Sequence, residues 1–387
     1  MMPTRTYMIV AAAMAAASPS NAQVSVVRIG TVAPLSGGAA YAGQANLNGV
    51  RMAVDELNAR GVAIGGQKVR FELLAEDDGG DPKQGVAAAQ KLVDARVHGV
   101  VGHQNSGTAI PASRLYSDAG IPQISPSVTH PRYTRQGFAT TFRMVADDVQ
   151  LGGMLGRYAV KELRLRTFAV VDDRTAYGQG LAREFAEAVR AAGGAVVDQQ
   201  FTTDKATDFS AILTAIKAKK PDVLFIGGMY ATAGPMLRQM QQLGLGARLM
   251  GGDGICNDAI VPLAAGAVGE NRIVCAEPGG FGQAQQPGLE RFQAAYRKRF
   301  GSEAEGISVY AYDAVNLMAQ AMVQAGSAEP KRYLPVLARI EGFQGVSGGI
   351  AFDDKGDRKD PLLTLYTFRN ARRAALAVVR ADASRTH

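Results

Sequence analysis

The chain contains no tryptophan, only four histidines and only two cysteines. His98, His103, His130 and His387 have none of the spacing that gathers side chains around a metal, and Cys256 and Cys275 have no nearby His pair to complete a zinc site. No metal and no other cofactor is expected. Past the N-terminal segment no run approaches the ~18–20 apolar residues of a membrane span. No GxxxxGK[ST] phosphate loop occurs. Charged residues make up 20% of the chain, with a net charge of +7. The richest basic stretches, Arg297-Lys298-Arg299 and Arg372-Arg373, are short and isolated. They read as solvated helix faces, and no nucleic-acid partner is expected.

Two enzyme-like patterns fail on context. Tyr177-Gly178-Gln179-Gly180 begins like a dinucleotide fingerprint, but Arg183 stands where the third glycine would allow close helix–strand packing. Gly345-Val346-Ser347-Gly348-Gly349 matches the nucleophile-elbow spacing, which needs a helix after it. A β-like Ile350-Ala351-Phe352 follows instead, and the one downstream histidine is terminal. A glycine turn is the better reading.

With 387 residues, 47% of them hydrophobic, the chain exceeds what one core organises, so two domains are expected. Arg5 precedes an apolar, Ala-rich run over 7–17, and Ser20 and Ala22 place small residues at −3 and −1 of a cut after Ala22. Residues 1–22 therefore read as a secretory signal peptide and the mature chain as periplasmic. In an exported protein the two cysteines permit one disulfide, the alternative being two buried thiols. The bridge is the expected state.

From residue 26 the chain alternates short β-rich runs (26–32, 69–75, 99–102, 122–125) with helix-period runs. Leu47, Val50, Val54 and Leu57 share one helical face, and Asp81-Pro82 is a helix start. After a helical stretch over 147–163 a second series follows, with strands at 168–171, 196–201, 223–226 and 249–251. Three late helical runs and a strand at 362–368 close the sequence. Alternation of this kind makes mostly parallel sheets covered on both faces. Two series make an α/β protein of two Rossmann-like lobes, and the lack of a flexible linker implies several short crossings that act as a hinge.

In parallel sheets, ligands sit beyond the carboxyl ends of the strands. Ser106, in a loop that opens a helix, could hold a carboxylate together with free backbone amides, or simply cap that helix. Ser125-Pro126-Ser127-Val128-Thr129 offers hydroxyls and carbonyls, or is a structural proline turn. Asp253, on the glycine loop Gly251-Gly252-Asp253-Gly254, could face an ammonium group, or only solvent. Tyr177 opens a helix and could close over a ligand. Taken together they form a zwitterion site with neither nucleophile nor general base, which favours binding without chemistry.

Ala33-Pro34-Leu35-Ser36-Gly37, Asp77-Asp78 with Asp81-Pro82-Lys83-Gln84, Gly102-His103, Pro111-Ala112-Ser113, Ser125-Pro126, Tyr177-Gly178-Gln179-Gly180-Leu181-Ala182 and Phe352-Asp353-Asp354-Lys355-Gly356-Asp357 carry a resemblance. Across nearly all of the mature sequence the chain resembles the periplasmic leucine/isoleucine/valine-binding proteins of ABC importers. The resemblance implies a type I periplasmic-binding-protein fold with a three-crossing hinge. Lobe 1 would hold 23–146 plus 278–352 and lobe 2 would hold 147–277 plus 353–387. It implies a monomer that closes on a free amino acid, branched-chain or related, and hands it to membrane permease and ATPase subunits. Ser106, Thr129 and the Ser127 carbonyl would meet the ligand carboxylate and amine from lobe 1, and Asp253 the amine from lobe 2. Tyr177 would pack on the ligand backbone, and Tyr41 would line the side-chain end.

The chain also departs from that pattern. A first-lobe disulfide of the enteric relatives falls at Gly80 and Asn105 here, so Cys256–Cys275 would be a different bridge. A pocket tyrosine falls at Met229 or Tyr230, Gln104 and Asn105 replace apolar or sulfur-bearing residues, and Ile307 stands where an aromatic is common. Buried amides need hydrogen-bond partners, so a more polar ligand side chain is an open alternative. So is a sensor or carrier of an amide or aromatic acid on the same fold. An α/β enzyme is the third reading.

Overall fold

A computed structural model describes residues 25–279 and 286–381. The proposed signal peptide lies outside them. Two sheets organise the chain. The first has the order β2-β3-β1-β4-β5-β6, from β1 (Ser25–Ala33), β2 (Ala63–Ile64), β3 (Gln67–Asp77), β4 (Gly99–Gly102), β5 (Gln123–Ser125) and β6 (Thr141–Arg143). All its pairings are parallel except the short β2–β3 hairpin. The second has the order β15-β14-β11-β10-β9-β7-β8. Its members β7 (Thr167–Asp172), β8 (Ala195–Phe201), β9 (Val223–Gly227), β10 (Arg248–Gly251) and β11 (Ile273–Pro278) run parallel, while β14 (Leu362–Arg369) and β15 (Arg372–Arg380) add an antiparallel edge.

The helices between strands bury one face each. Helix α1 (Ala40–Arg60) packs Val50, Val54 and Leu57 onto the first sheet, and α10 (Gly306–Ala325) returns late in the sequence to join it through Ala314, Val315 and Met318. On the second sheet, α4 (Asp148–Lys161) and α5 (Ala176–Ala191) pack Leu155, Leu181 and Phe185 on Val170 and Phe225, while α7 (Tyr230–Gln242) covers the other face. Each such Leu, Ile, Val or Phe contributes roughly 1.5–3 kcal/mol by leaving water. Helix α2 (Pro82–Asp94) starts where the sequence indicates. Asp81 accepts from the amides of Lys83 and Gln84, and Pro82 fills the first turn.

The chain passes between the sheets three times: after β6, after β11, and after the hairpin of β12 (Phe343–Gly345) and β13 (Gly348–Ile350). The first and third crossings are tied side by side. Arg143, fully buried, donates from Nε to Asp357 Oδ1 at 2.8 Å, from Nη1 to the carbonyls of Val128 and His130, and from Nη2 to Thr134 Oγ1 at 2.7 Å. Asp353 holds the intervening turn by accepting from the amides of Lys355 and Asp357. Arg358 reaches back to the carbonyls of Met144, Ser347 and Gly349.

Two readings of the sequence are settled here. The Gly345–Gly349 stretch is the β12–β13 turn, with the amides of Val346 and Ser347 donating to Asp313. Arg372-Arg373, expected on a solvated helix face, instead opens β15. The chain reverses at Asn370-Ala371, both with positive φ, and lays a strand where the sequence suggested none. Arg297-Lys298-Arg299 does end a helix, α9 (Gln286–Phe300). Among the described residues no helix is long and apolar enough to cross a membrane.

Candidate functional site

The carboxyl ends of β4, β5, β7, β9 and β10 converge between the sheets. The loop after β4 is held from beneath. Gln123 Nε2 donates to the Gly102 carbonyl, Ser125 Oγ to that of His103, and Ser127 Oγ to that of Gln104, at 2.8–2.9 Å. The His103 ring lies buried between Asp78 Oδ2 (3.2 Å) and the Tyr116 hydroxyl (3.1 Å). With its carbonyls engaged, this loop presents side chains and amides to the cleft.

Helix α3 (Ser106–Ala119) begins there with Asn105 as its N-cap residue, and no side chain caps it. The first amides of a helix have no intrahelical acceptor and carry its positive end, so the Ser106 and Gly107 amides are left without an acceptor in the helix. The Ser106 hydroxyl has one long contact, 3.4 Å from the His130 amide.

From the second sheet, Asp253 follows β10. Its Oδ1 accepts from the Tyr177 hydroxyl at 2.9 Å, and that hydroxyl accepts from the Gly254 amide at 3.0 Å. The Asp253 side chain is enclosed by protein but opens onto the cavity. Loss of hydration pushes its carboxyl up to about 6, and the Tyr177 hydrogen bond offsets part of that.

These groups share one cavity of about 90 Å3. Ser106, Ser127, Asp253 and Tyr177 line it, together with Tyr41, Gln104, Asn105 and Met229. Two of the residues named from the sequence do not. Thr129 is buried behind the wall, its hydroxyl near the Asp148 carboxyl without a hydrogen bond of ordinary geometry. Tyr230 packs edge-on against Tyr41, ring centroids 6.3 Å apart, and leaves Met229 to face the cavity. Cys256 and Cys275 are bridged, with Cα atoms 5.4 Å apart, and Cys256 forms part of the wall.

The sequence reading missed an acidic group on the same wall. Glu277, near the end of β11, and Glu305, the N-cap residue of α10, both line the cavity. Arg373 from β15 stands behind them, with Nη1 3.2 Å from Glu277 Oε2 and Nη2 3.1 Å from Glu305 Oε2. Its Nε meets Asp258 Oδ1 at 3.1 Å, and Nη1 also donates to the Cys256 carbonyl. Tyr41 donates to Glu305 Oε1 at 2.7 Å. Burial pushes the Glu277 carboxyl up to about 7 against the pull of Arg373, and Glu305 and Asp253 add to the rise. A signal for Glu277 was present: it ends a parallel strand, as Asp253 follows one. Among the described residues no group of three or more His, Cys, Asp or Glu is placed to hold a metal ion.

Comparison with known proteins agrees with this architecture. Residues 26–372 match the model of a family described as periplasmic binding protein. The chain is 35% identical over 343 residues to Leu/Ile/Val-binding protein homolog 1 of Brucella abortus (strain 2308), covering 88% of this chain and 90% of that one. It is 32% identical to a leucine-, isoleucine-, valine-, threonine- and alanine-binding protein of Pseudomonas aeruginosa, covering 92% and 93%. Among solved structures, the branched-chain amino acid transporter substrate binding protein of Streptococcus pneumoniae, in complex with isoleucine, superposes with a TM-score of 0.81 at 28% identity, covering 92% of this chain and 99% of that one. The fold is thus the type I periplasmic-binding fold, and the chain belongs to the periplasmic binding protein family.

Proposed function

We propose that this protein is the exported substrate-binding component of an ABC importer, taking one free amino acid, branched-chain or related, into the cleft and closing two lobes over it. The observation that carries this reading is an uncapped helix start on one sheet and an enclosed carboxylate on the other, facing a single cavity of about 90 Å3. The α-carboxylate goes to the Ser106 hydroxyl and the open amides of α3. The α-ammonium goes to Asp253 and the Ser127 carbonyl, with Tyr177 fixing Asp253 and packing on the ligand. Thr129, expected from the sequence to meet the ammonium, lies behind the cavity wall beside Asp148 and takes no part in this reading. Lobe 1 comprises 23–146 plus 278–352 and lobe 2 comprises 147–277 plus 353–387, the Arg143–Asp357 tie marking the hinge. In this reading the protein binds without turnover, works as a monomer, and loses residues 1–22 on export. Relatives named for leucine, isoleucine and valine, and the one solved with isoleucine, support the ligand class. Calorimetry of unfolded, ligand-stripped and refolded protein against the common amino acids tests it. Heat of binding with at least one is expected, and none with any of them refutes the reading.

A further inference from the structure

Three carboxylates, those of Asp253, Glu277 and Glu305, open onto one cavity of about 90 Å3. The α-ammonium of a zwitterion balances one of them, Asp253. One guanidinium, Arg373, serves both glutamates and Asp258, with four of its five N–H donors engaged. It reaches only Oε2 of Glu277, and its remaining contacts are Glu305, Asp258 and the Cys256 carbonyl. Two further acceptors without donors lie within the wall, out of contact with the cavity's solvent. Gln104, 5% exposed, has Oε1 buried without a partner, and so has Asn105 at Oδ1. Both residues line the same cavity. Burial, opposed by Arg373 and aided by Glu305 and Asp253, raises the proton affinity of Glu277.

An aliphatic side chain lodged here would expel water from the two glutamate carboxylates and replace none of its hydrogen bonds. Leaving an acceptor unpaired in this way weakens binding by roughly tenfold to a hundredfold, and more for a charged one. A side chain tipped with N–H groups would satisfy them instead. The glutamates also come from different sheets, Glu277 from the end of β11 and Glu305 from the start of α10. A donor between them therefore joins the lobes, as Arg373 already does at the rear.

Resting on the reading that this cavity holds a free amino acid, we propose that Glu277 and Glu305 are its specificity-determining residues, selecting a side chain that ends in N–H donors, an amino or carboxamide group, over an aliphatic one. Asparagine, glutamine, 2,4-diaminobutyrate and ornithine represent this class.

The test is competitive calorimetry on ligand-stripped protein with those four and with leucine, isoleucine and valine. At least one donor-tipped ligand should bind tenfold or more tightly than every aliphatic one. The amino and carboxamide arms tell which head group is taken. Glu277→Gln and Glu305→Gln keep the volume and should narrow that ratio at least tenfold, by weakening the donor-tipped ligand and not leucine. If an aliphatic ligand binds more tightly than all four, the selection is overturned while the amino-acid reading stands. A ratio left unchanged by both variants overturns the role of the glutamates. If no amino acid binds, both readings fall. The wild-type panel decides the matter even if a variant does not fold.

Discussion

Replacing Asp253 by Asn should move binding and stability in opposite directions. In the ligand-free protein the carboxylate is enclosed with one hydroxyl donor, from Tyr177, and its carboxyl is held up at about 6 from an ordinary 3.8. That shift corresponds to at most about 3 kcal/mol of destabilisation when the group is ionised. The sign follows from linkage. The folded state binds the proton more tightly than the unfolded one, so this cost is absent below pH 4, grows between about 4 and 6, and is complete above 6. Asn keeps an oxygen for the Tyr177 hydroxyl and removes the charge. Asp253→Asn should therefore raise the thermal midpoint of the ligand-free protein by a few degrees at pH 8, and leave it unchanged at pH 4. Binding should suffer, because the ligand ammonium would be enclosed without its counter-charge. Breaking one side of a buried pair costs about 3–5 kcal/mol, a loss of roughly 10²–10³-fold or more in affinity. For the wild type, affinity should fall about tenfold per pH unit once pH drops below 6, because binding then requires loss of a proton from Asp253. Calorimetry between pH 4.5 and 8 and differential scanning calorimetry of the stripped protein measure both halves. A variant that binds within threefold of the wild type, or one that is less stable at pH 8, refutes the assignment of Asp253 to the ammonium.

Ser106→Ala removes one hydroxyl from the carboxylate site but leaves the α3 amides, so a loss of about tenfold in affinity is expected by calorimetry. Arg143→Leu strands Asp357 and two carbonyls in the hinge, and should destabilise the protein by about 3–5 kcal/mol, read as a lowered thermal midpoint. Replacing both Cys256 and Cys275 by Ser releases a loop closed across a sequence separation of 19, and should cost about 3 kcal/mol, read in the same way.

The alternation of strands and helices was legible because parallel strands buried on both faces leave short apolar runs, and because helices such as α2 announce themselves with Asp81-Pro82. Loops that follow strands were legible for the same reason, which is why Ser106, Ser127, Tyr177 and Asp253 converge on one cavity. Thr129 and Tyr230 fell one layer behind the wall. Sequence adjacency marks a loop, but the loop's own packing decides which residue faces inward. At Met229-Tyr230 the choice is one of alternating direction at a helix start, which no spacing rule resolves.

Arg373 shows where such reasoning stops. In sequence it is one of two adjacent arginines in a polar stretch, and a solvated face is the reading that local pattern supports. Its role comes from partners far along the chain: Glu277, Glu305, Asp258 and the Cys256 carbonyl. Only the turn at Asn370-Ala371 and the antiparallel pairing of β15 on β14 bring it behind the cavity. Because its partners lie on both sheets, its charge also favours the approach of the lobes. Removing it would leave Glu277 and Glu305 facing each other across the cleft with no cation between them. Arg373→Met should accordingly favour the open form, so that small-angle scattering of the ligand-free variant gives a larger radius of gyration than the wild type. An unchanged radius would mean that the hinge, through Arg143 and Asp357, sets the opening by itself, and that Arg373 serves only to neutralise the acids it touches.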